Sequence, residues 1–152
     1  MSREDALTIL SSTCFQLGVT GSQITQSFSR RIEHLALSHK QVGLLAVVDA
    51  GVATSQREIA TQLHVAPSLV VTLVDQLTRS GAVRRTRSRS DRRVQTIEIT
   101  AEGRRLLKAA TDVASRLDAD LRTTLSPDDQ QALDRFLPSL LRATMATSQE
   151  EA

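Results

Sequence analysis

Apolar residues recur along the chain at alternating spacings of three and four, which is the periodicity of amphipathic helices. The first such run, from Leu7 to Leu35, predicts one long helix with a nearly heptad-like seam. Gly18 and Gly21 lie within this run, and each weakens a helix by roughly 1 kcal/mol relative to alanine. We expect these glycines to mark a close helix approach or a local bend, and we expect a partner helix to cover the seam.

Start and stop signals divide the next segment into three shorter helices. Ser38 with Gln41, and Ser55 with Glu58, have the spacing of capping boxes. The last of these three, which is the fourth helix of the chain, is predicted to begin at Pro67, after a tight turn at residues 64–66, and to stop at Gly81. Its predicted buried stripe is Leu69, Val70, Leu73, Val74 and Leu77. Its predicted exposed face is Ser68, Val71, Thr72, Asp75, Gln76 and Arg79.

A β-hairpin and two further helices complete the pattern. Ile97 and Ile99 alternate with Glu98, which predicts a returning strand with one buried face. Thr100 is expected to cap the fifth helix, and residues 126–129 have the serine, proline and acidic residues of a helix start. Pro138 predicts a kink in the sixth helix.

The resulting fold class is mainly α with a small β-hairpin wing, a winged helix-turn-helix. The first, fifth and sixth helices have apolar seams that the small central module cannot cover alone, so they are predicted to form a dimer across a two-fold axis. We divide the chain into an N-terminal dimerisation helix at 1–37, a DNA-binding lobe at 38–100 and C-terminal dimerisation helices at 101–152, all one intertwined domain.

Positive charge is concentrated in the hairpin. Residues 84–93 contain six arginines and one aspartate, a charge of +5, whereas the whole chain is only +2, so the remainder sums to −3. A helix pair that leads into a basic hairpin is the winged-helix way of holding duplex DNA. The residues concerned are Arg84, Arg85, Arg87, Arg89, Asp91, Arg92 and Arg93.

Composition excludes several other classes. Three phenylalanines and no tryptophan or tyrosine argue against a reader of single-stranded nucleic acid, which stacks bases on aromatic side chains. A single cysteine cannot form an internal disulfide, so a reducing cytoplasm is expected. The N-terminus has no signal-peptide pattern, and no apolar run approaches the ~18 residues of a membrane span.

The segment from Leu73 to Gly103 resembles the multiple-antibiotic-resistance regulator (MarR) family of winged helix-turn-helix transcription factors. It contains a leucine-ended helix, a glycine turn, a basic strand, the D-x-R motif Asp91-Arg92-Arg93, and a strand that closes with Ile99-Thr100 and Glu102-Gly103. The resemblance extends over nearly the whole chain and implies a DNA-binding regulator rather than an enzyme.

DNA contacts are assigned partly from physical reasoning and partly from this resemblance. The exposed residues Ser68, Val71, Thr72 and Gln76 are expected to face the major groove, with Val71 on a thymine methyl and Gln76 on adenine or the backbone. The family often has threonine and then arginine where this chain has Val71 and Thr72, so the wing and DNA shape are expected to carry more of the specificity.

The resemblance also implies that Arg93 enters the minor groove and that Asp91 steadies it. The other wing arginines, Arg84, Arg85, Arg87, Arg89 and Arg92, are then expected to neutralise phosphates. If a dimer makes ~8 such contacts, its affinity should fall a thousandfold or more between about 50 and 200 mM salt.

Regulation is predicted from three residues. Family members that sense organic hydroperoxides carry an early reactive cysteine, which Thr13-Cys14-Phe15 resembles, although this chain lacks the tyrosines that those sensors use. The competing interpretation is that Cys14 is a buried seam residue, because burial quiets a thiol. The resemblance also implies a small aromatic or phenolic effector, often a carboxylate. Arg31 or His34 could bind such an anion. The alternative is that Arg31 reaches solvent and His34 is a surface side chain.

Other classes fit the sequence less well. There is no phosphate loop, nucleophile elbow or credible carboxylate pair, so an enzyme is not expected. No metal site or cofactor is expected either, because His39 and His64 lack paired ligand spacing. A weakly specific architectural DNA-binding protein stays open as an alternative. A winged helix that binds only protein is disfavoured by the arginines.

The main prediction is a homodimeric repressor at a pseudo-palindromic operator, released when an effector changes the spacing of the two recognition helices.

Overall fold

The computed structural model describes residues 3–88 and 90–150, with side chains described from residue 5 to residue 145 except at residue 89. The helices are α1 (Arg3–Ser11), α2 (Thr13–Arg31), α3 (His39–Asp49), α4 (Gln56–Leu63), α5 (Pro67–Arg79), α6 (Ala101–Thr123) and α7 (Pro127–Glu150), with a short 3-10 helix at Glu33–Leu35. The strands are β1 (Val83–Arg87) and β2 (Gln95–Ile99). This is the mainly helical chain with one hairpin that the pattern predicts.

The prediction of a single long N-terminal helix is wrong at Ser12. This residue has extended backbone angles, φ −67° and ψ 143°, and it is the N-cap of α2. Its hydroxyl donates to the carbonyl of Ile9 at 2.7 Å and accepts from the amide of Phe15 at 3.3 Å. Serine competes for backbone hydrogen bonds in this way, so the apolar seam continues in sequence although the helix does not. Helix α2 passes through Gly18 and Gly21 without a break.

The short helices of the middle segment begin and end as predicted. Both capping boxes form, one between Ser38 and Gln41 and the other between Ser55 and Glu58. Helix α5 begins at Pro67 and is followed by Gly81, whose positive φ of 75° suits the residue after a helix end.

The hairpin is antiparallel, with Val83 opposite Ile99 and Arg85 opposite Ile97. As predicted, Ile97 and Ile99 are buried and Glu98 is exposed. The amide of Ile97 also donates to the carbonyl of Thr54 at 2.7 Å, so β2 is attached to the segment before α4 as well as to β1. The hairpin is therefore attached through β2 to the helical part of the lobe.

The base of the wing is closed by Thr100 and Gly103. The Thr100 hydroxyl caps α6 by accepting from the amide of Gly103 at 3.1 Å, and it donates to the carbonyl of Gly81 at 2.6 Å. A Cβ atom on Gly103 would lie 2.1 Å from the carbonyl oxygen of Ala82, which is too close for any atom pair. A glycine is therefore required where α6 leaves the hairpin.

The chain forms two compact units that divide between Ala114 and Ser115, within α6. The first contains a single apolar core in which the helix-turn-helix and both strands meet. Its side chains with no more than 2% exposure are Ile32, Leu44, Leu45, Ala53, Ile59, Val70, Val74, Leu77, Ala82, Val83, Ile97 and Ala110. This core fixes the position of α5 and of the wing relative to each other.

In the second unit, Arg122 links the end of α6 to α7. Its guanidinium binds Asp134 at 2.6 Å and Asp118 at 3.0 Å. The hydrogen bond to Asp134, followed by that to Asp118, raises the pKa of Arg122, and the same contact lowers the pKa of Asp134. Gln130 donates to the carbonyl oxygens of Arg122 and Leu125, which holds the turn before α7.

Large apolar side chains remain exposed on the outer helices of each unit. In α1 and α2 they are Leu7, Ile9, Leu10, Phe15, Leu17, Val19 and Ile24. In the second unit they are Leu121, Phe136, Leu137, Leu141 and Met145. Apolar surface of this extent is typical of an interaction face.

Candidate nucleic-acid interface

Helix α5 presents a largely polar face to solvent because its apolar residues, except Val71, are turned to the other side. Leu73, Val74 and Leu77 lie in the core, whereas Ser68, Val71 and Thr72 are exposed, as predicted. Val71 is 42% exposed although it is apolar. The Thr72 hydroxyl donates to the carbonyl of Ser68 at 3.2 Å, so it offers DNA an acceptor and a methyl group but no free proton.

Gln76 is held at one border of this face. Its side-chain oxygen accepts a 2.9 Å hydrogen bond from the side-chain amide nitrogen, Nε2, of Gln41 at the start of α3. The sequence predicted Gln41 as a helix cap but gave no sign that it also contacts α5, because the two glutamines are 35 positions apart. Gln41 is thus a site residue that sequence reasoning missed.

Asp75 borders the same face on the side of the wing. Its carboxylate forms an ion pair with Arg85 of β1, and the two side chains are 42% and 29% exposed. In this conformation the charge of Arg85 is matched within the chain, and its contact with a phosphate stays a prediction. Asp75 was predicted to be exposed on α5 but was given no role, and the structure makes it a link between α5 and the wing.

Arg84 is also paired. Its guanidinium donates to the carboxylate of Glu98 on β2 at 2.8 and 3.0 Å, directly across the hairpin. Both side chains are exposed, so the pair contributes little to stability, on the order of 0–1 kcal/mol. Its main effect is to reduce the positive charge that the hairpin offers in the free chain, and the assignment of Arg84 to phosphates stays a prediction.

The end of the wing is a hydrogen-bonded turn around Asp91. The carboxylate of Asp91 accepts from the backbone amide of Arg93 at 2.9 Å, and its carbonyl accepts from Val94 at 3.0 Å. Ser88 closes the turn by donating its amide to Val94 at 2.9 Å and accepting the amide of Ser90 on its hydroxyl at 3.2 Å. Asp91 thus contacts Arg93 through the backbone rather than through the guanidinium.

The remaining wing arginines are available for an external anion. Arg87, Arg92 and Arg93 are exposed, and among the residues that the structure describes none of the three forms an ion pair. Arg89 lies outside the described residues. The positive charge at the tip therefore comes from the arginines nearest the turn, whereas those near the base of the wing are matched by acids.

The three residues predicted for regulation lie on or after α2, away from the core. Cys14 is exposed, so its prediction as a buried seam residue is wrong for the single chain. It lines a shallow groove on the surface of α2 together with Phe15, Gly18, Val19, Ser22 and Gln23. Arg31 ends α2 and His34 is in the 3-10 helix that follows; both are exposed.

Two further observations concern the described part of the chain. No group of three or more His, Cys, Asp or Glu side chains within it could hold a metal ion. None of its helices combines the length and the apolar character needed to cross a membrane.

A helix-turn-helix in which the second helix exposes a polar face beside an arginine-tipped hairpin defines a winged-helix DNA-binding protein. The model of the MarR family matches residues 37–94, which include the helix-turn-helix and most of the wing. The helix-turn-helix and most of the wing are thus similar to the MarR family.

Known relatives agree with this assignment. The chain is 29% identical over 138 residues to the HTH-type transcriptional regulator TtmR of Methylorubrum extorquens (strain PA1), which covers 91% of this chain and 70% of TtmR. The transcriptional repressor CouR bound to a 23-mer DNA duplex is 28% identical, with a TM-score of 0.76 over 86% of this chain and 92% of CouR. CouR from Rhodococcus jostii RHA1 bound to p-coumaroyl-CoA is 25% identical, with a TM-score of 0.75 over 87% and 93%.

Proposed function

We propose that two copies of this regulator form a cytoplasmic homodimer that represses transcription by occupying a pseudo-palindromic operator in duplex DNA. The observation that carries the proposal is the continuous surface made by the exposed face of α5 and the wing, which the Asp75–Arg85 pair joins. Each copy would insert one α5 into the major groove, and the two-fold axis of the dimer would match the inverted repeat.

Base readout would come from the N-terminal half of α5. Ser68, Val71 and Thr72 are exposed there, and a thymine methyl would shield the apolar side chain of Val71 from water. The Thr72 hydroxyl already donates a hydrogen bond to the carbonyl of Ser68. It would therefore accept a hydrogen bond from an exocyclic amine of adenine or cytosine. This half of α5 offers few strong hydrogen-bond donors, and we therefore assign the wing a large share of the specificity.

The wing would reach the neighbouring minor groove through Arg93. Narrow A·T-rich minor grooves attract arginine through their enhanced negative potential. Asp91 would set the direction of Arg93 through the backbone hydrogen bond of the turn. Arg87 and Arg92, with Arg89, would contact phosphates and so position the protein without reading sequence.

The dimer would form through the outer helices. Exposed apolar side chains on α1 and α2, and a separate set on α7, provide the surface that such an interface needs. Sedimentation analysis at micromolar concentration tests this part, because a monomer at all concentrations would contradict it.

The effector would be a small aromatic or phenolic anion, free or joined to coenzyme A. Support comes from CouR, a relative that was crystallised with p-coumaroyl-CoA. Arg31 and His34 are the exposed residues assigned to meet the anion. The test is release of a labelled operator by p-coumaroyl-CoA and by aromatic carboxylates, with coenzyme A as the control.

A second candidate for regulation is oxidation of Cys14, whose thiol is exposed in the single chain. Treatment with an organic hydroperoxide would then release the operator from the native protein but not from a Cys14→Ser variant. Equal release from both would remove this candidate.

The decisive first experiment is selection of genomic fragments by the purified protein at about 150 mM salt, where non-specific binding is weak. Enrichment of a few fragments that share an inverted repeat supports the operator-binding repressor and supplies the probe for effector screening. Broad recovery without a motif would instead favour a weakly specific architectural protein.

A further inference from the structure

We propose that Gln41 and Gln76 form a two-amide relay that turns the NH₂ group of Gln76 toward DNA, so that Gln76 selects a hydrogen-bond acceptor in the major groove. The inference rests on the proposed operator binding and deepens it by assigning a specificity-determining residue, Gln76, and a positioning residue, Gln41.

The relay begins at a backbone group. The amide N–H of Ser38 donates to the side-chain oxygen of Gln41 at 2.8 Å, as one half of the capping box of α3. The other end of the same amide, Nε2 of Gln41, donates to the side-chain oxygen of Gln76 at 2.9 Å. Three groups thus lie in one hydrogen-bonded chain from the start of α3 to α5.

The direction of this chain is set by chemistry, because a backbone N–H can only donate. Gln41 must therefore turn its oxygen toward Ser38, which leaves its NH₂ group for Gln76. Gln76 must in turn receive that NH₂ group with its oxygen. The orientation of both amides, which is usually ambiguous, is fixed by a single main-chain proton.

The relay leaves the NH₂ end of the Gln76 side chain for DNA. Its oxygen is directed to α3, so its Nε2 group is the end left for a ligand, and the residue is exposed. A bidentate contact with adenine needs both ends of the amide to face the base. Gln76 is instead suited to donate to O6 or N7 of guanine or to O4 of thymine.

A substitution at Gln41 can reverse the relay without removing the cap. In Gln41→Glu the carboxylate still accepts the Ser38 amide, and glutamate is a favoured residue at this position of a capping box. The second carboxylate oxygen can only accept, so Gln76 must turn its NH₂ group inward to donate and present its oxygen to DNA. The variant should then favour bases with an exocyclic amine, adenine or cytosine, at the position facing Gln76.

The experiment is selection from a randomised operator library by the native protein, Gln41→Glu, Gln76→Ala, and the double variant Gln41→Glu with Gln76→Ala. The native protein should enrich guanine or thymine at one symmetric position, and Gln41→Glu should shift that position toward adenine or cytosine by about tenfold. Gln76→Ala should lose the preference there and keep the rest of the motif.

The double variant separates the relay from the added negative charge. In the absence of Gln76, Gln41→Glu should weaken binding to all sequences alike and change no base preference. A spectroscopic check is available in the free protein, where the side-chain NH₂ signal of Gln76 should shift downfield in Gln41→Glu as that group becomes hydrogen-bonded.

The outcomes distinguish the two levels of the proposal. If the native protein enriches no motif, operator binding fails and the relay has no function to serve. If it enriches a motif whose base preferences are the same in Gln41→Glu, or unchanged in Gln76→Ala, operator binding stands and the relay is wrong.

Discussion

The carboxylate of Asp75 on α5 is bound to the guanidinium of Arg85 on β1, which ties α5 directly to the wing. Its counterpart, the pair between Arg84 and Glu98, stays within the hairpin. The two pairs have the same charges and neighbouring arginines. The Asp75–Arg85 pair connects α5 to the wing, whereas the Arg84–Glu98 pair connects the two strands of the wing.

The first prediction is that the Asp75–Arg85 pair couples the two DNA contacts. A double-mutant cycle with Asp75→Ala and Arg85→Ala should show a coupling of about 1 kcal/mol or more in operator affinity, because either change alone removes the ion pair between α5 and β1. The free energy of unfolding should change by less than about 1 kcal/mol for this partly exposed pair.

The control is the same cycle with Arg84→Ala and Glu98→Ala, measured by fluorescence anisotropy on the selected operator. This pair joins β1 to β2 rather than to α5, so it should show little coupling. Equal coupling in both cycles would mean that charge alone, rather than the link between helix and wing, is responsible.

The second prediction concerns Arg93. Arg93→Ala should reduce operator affinity by tenfold or more, about 1–3 kcal/mol, and relax the preference for A·T pairs in the minor groove, while the dimer stays intact. Arg87→Ala is the matched variant, since it should weaken binding to all sequences equally and lower the salt slope by about one. Unchanged operator affinity in Arg93→Ala would remove the minor-groove assignment.

The third prediction concerns the base of the wing. Gly103→Ala should destabilise the fold by about 1–3 kcal/mol or more in urea unfolding, because the new Cβ would lie 2.1 Å from the carbonyl oxygen of Ala82. Gly43→Ala, also in a helix, meets only the end of the Leu63 side chain at 3.3 Å and should stay within about 1 kcal/mol of native stability. Similar stabilities for the two variants would contradict the close approach.

The fourth prediction concerns pH. Hydrogen bonds from the amides of Thr54 and Ser55, with that from the Ser55 side chain, lower the pKa of Glu58 below its usual 4.5. A carboxyl with a lowered pKa in the folded state stabilises the fold above its unfolded pKa, and this stabilisation is lost as pH falls through the folded pKa. The native protein should therefore lose stability below about pH 4.5 relative to Glu58→Gln, which cannot titrate. A constant difference between their urea midpoints from about pH 7 to pH 3 would show that Glu58 does not contribute.

Local signals predicted most of the fold. Pro67 and Gly81 bound α5, and the alternation of Ile97 with Ile99 gives the buried face of β2, because each depends on residues that are neighbours in sequence. The break at Ser12 was missed because the apolar seam continues across it. Side-chain partners were also missed: neither the arginine run nor a capping glutamine reveals that Arg85 pairs with Asp75 or that Gln41 contacts Gln76.

The turn at the end of the wing also bears on how binding proceeds. Ser88 and Asp91 already hold its backbone through hydrogen bonds to Ser90, Arg93 and Val94. A tip that is built before contact has little conformational entropy left to lose on the DNA. Association would then need no ordering of the turn at residues 90–94, and the heat-capacity change of binding would report the surface that is buried there.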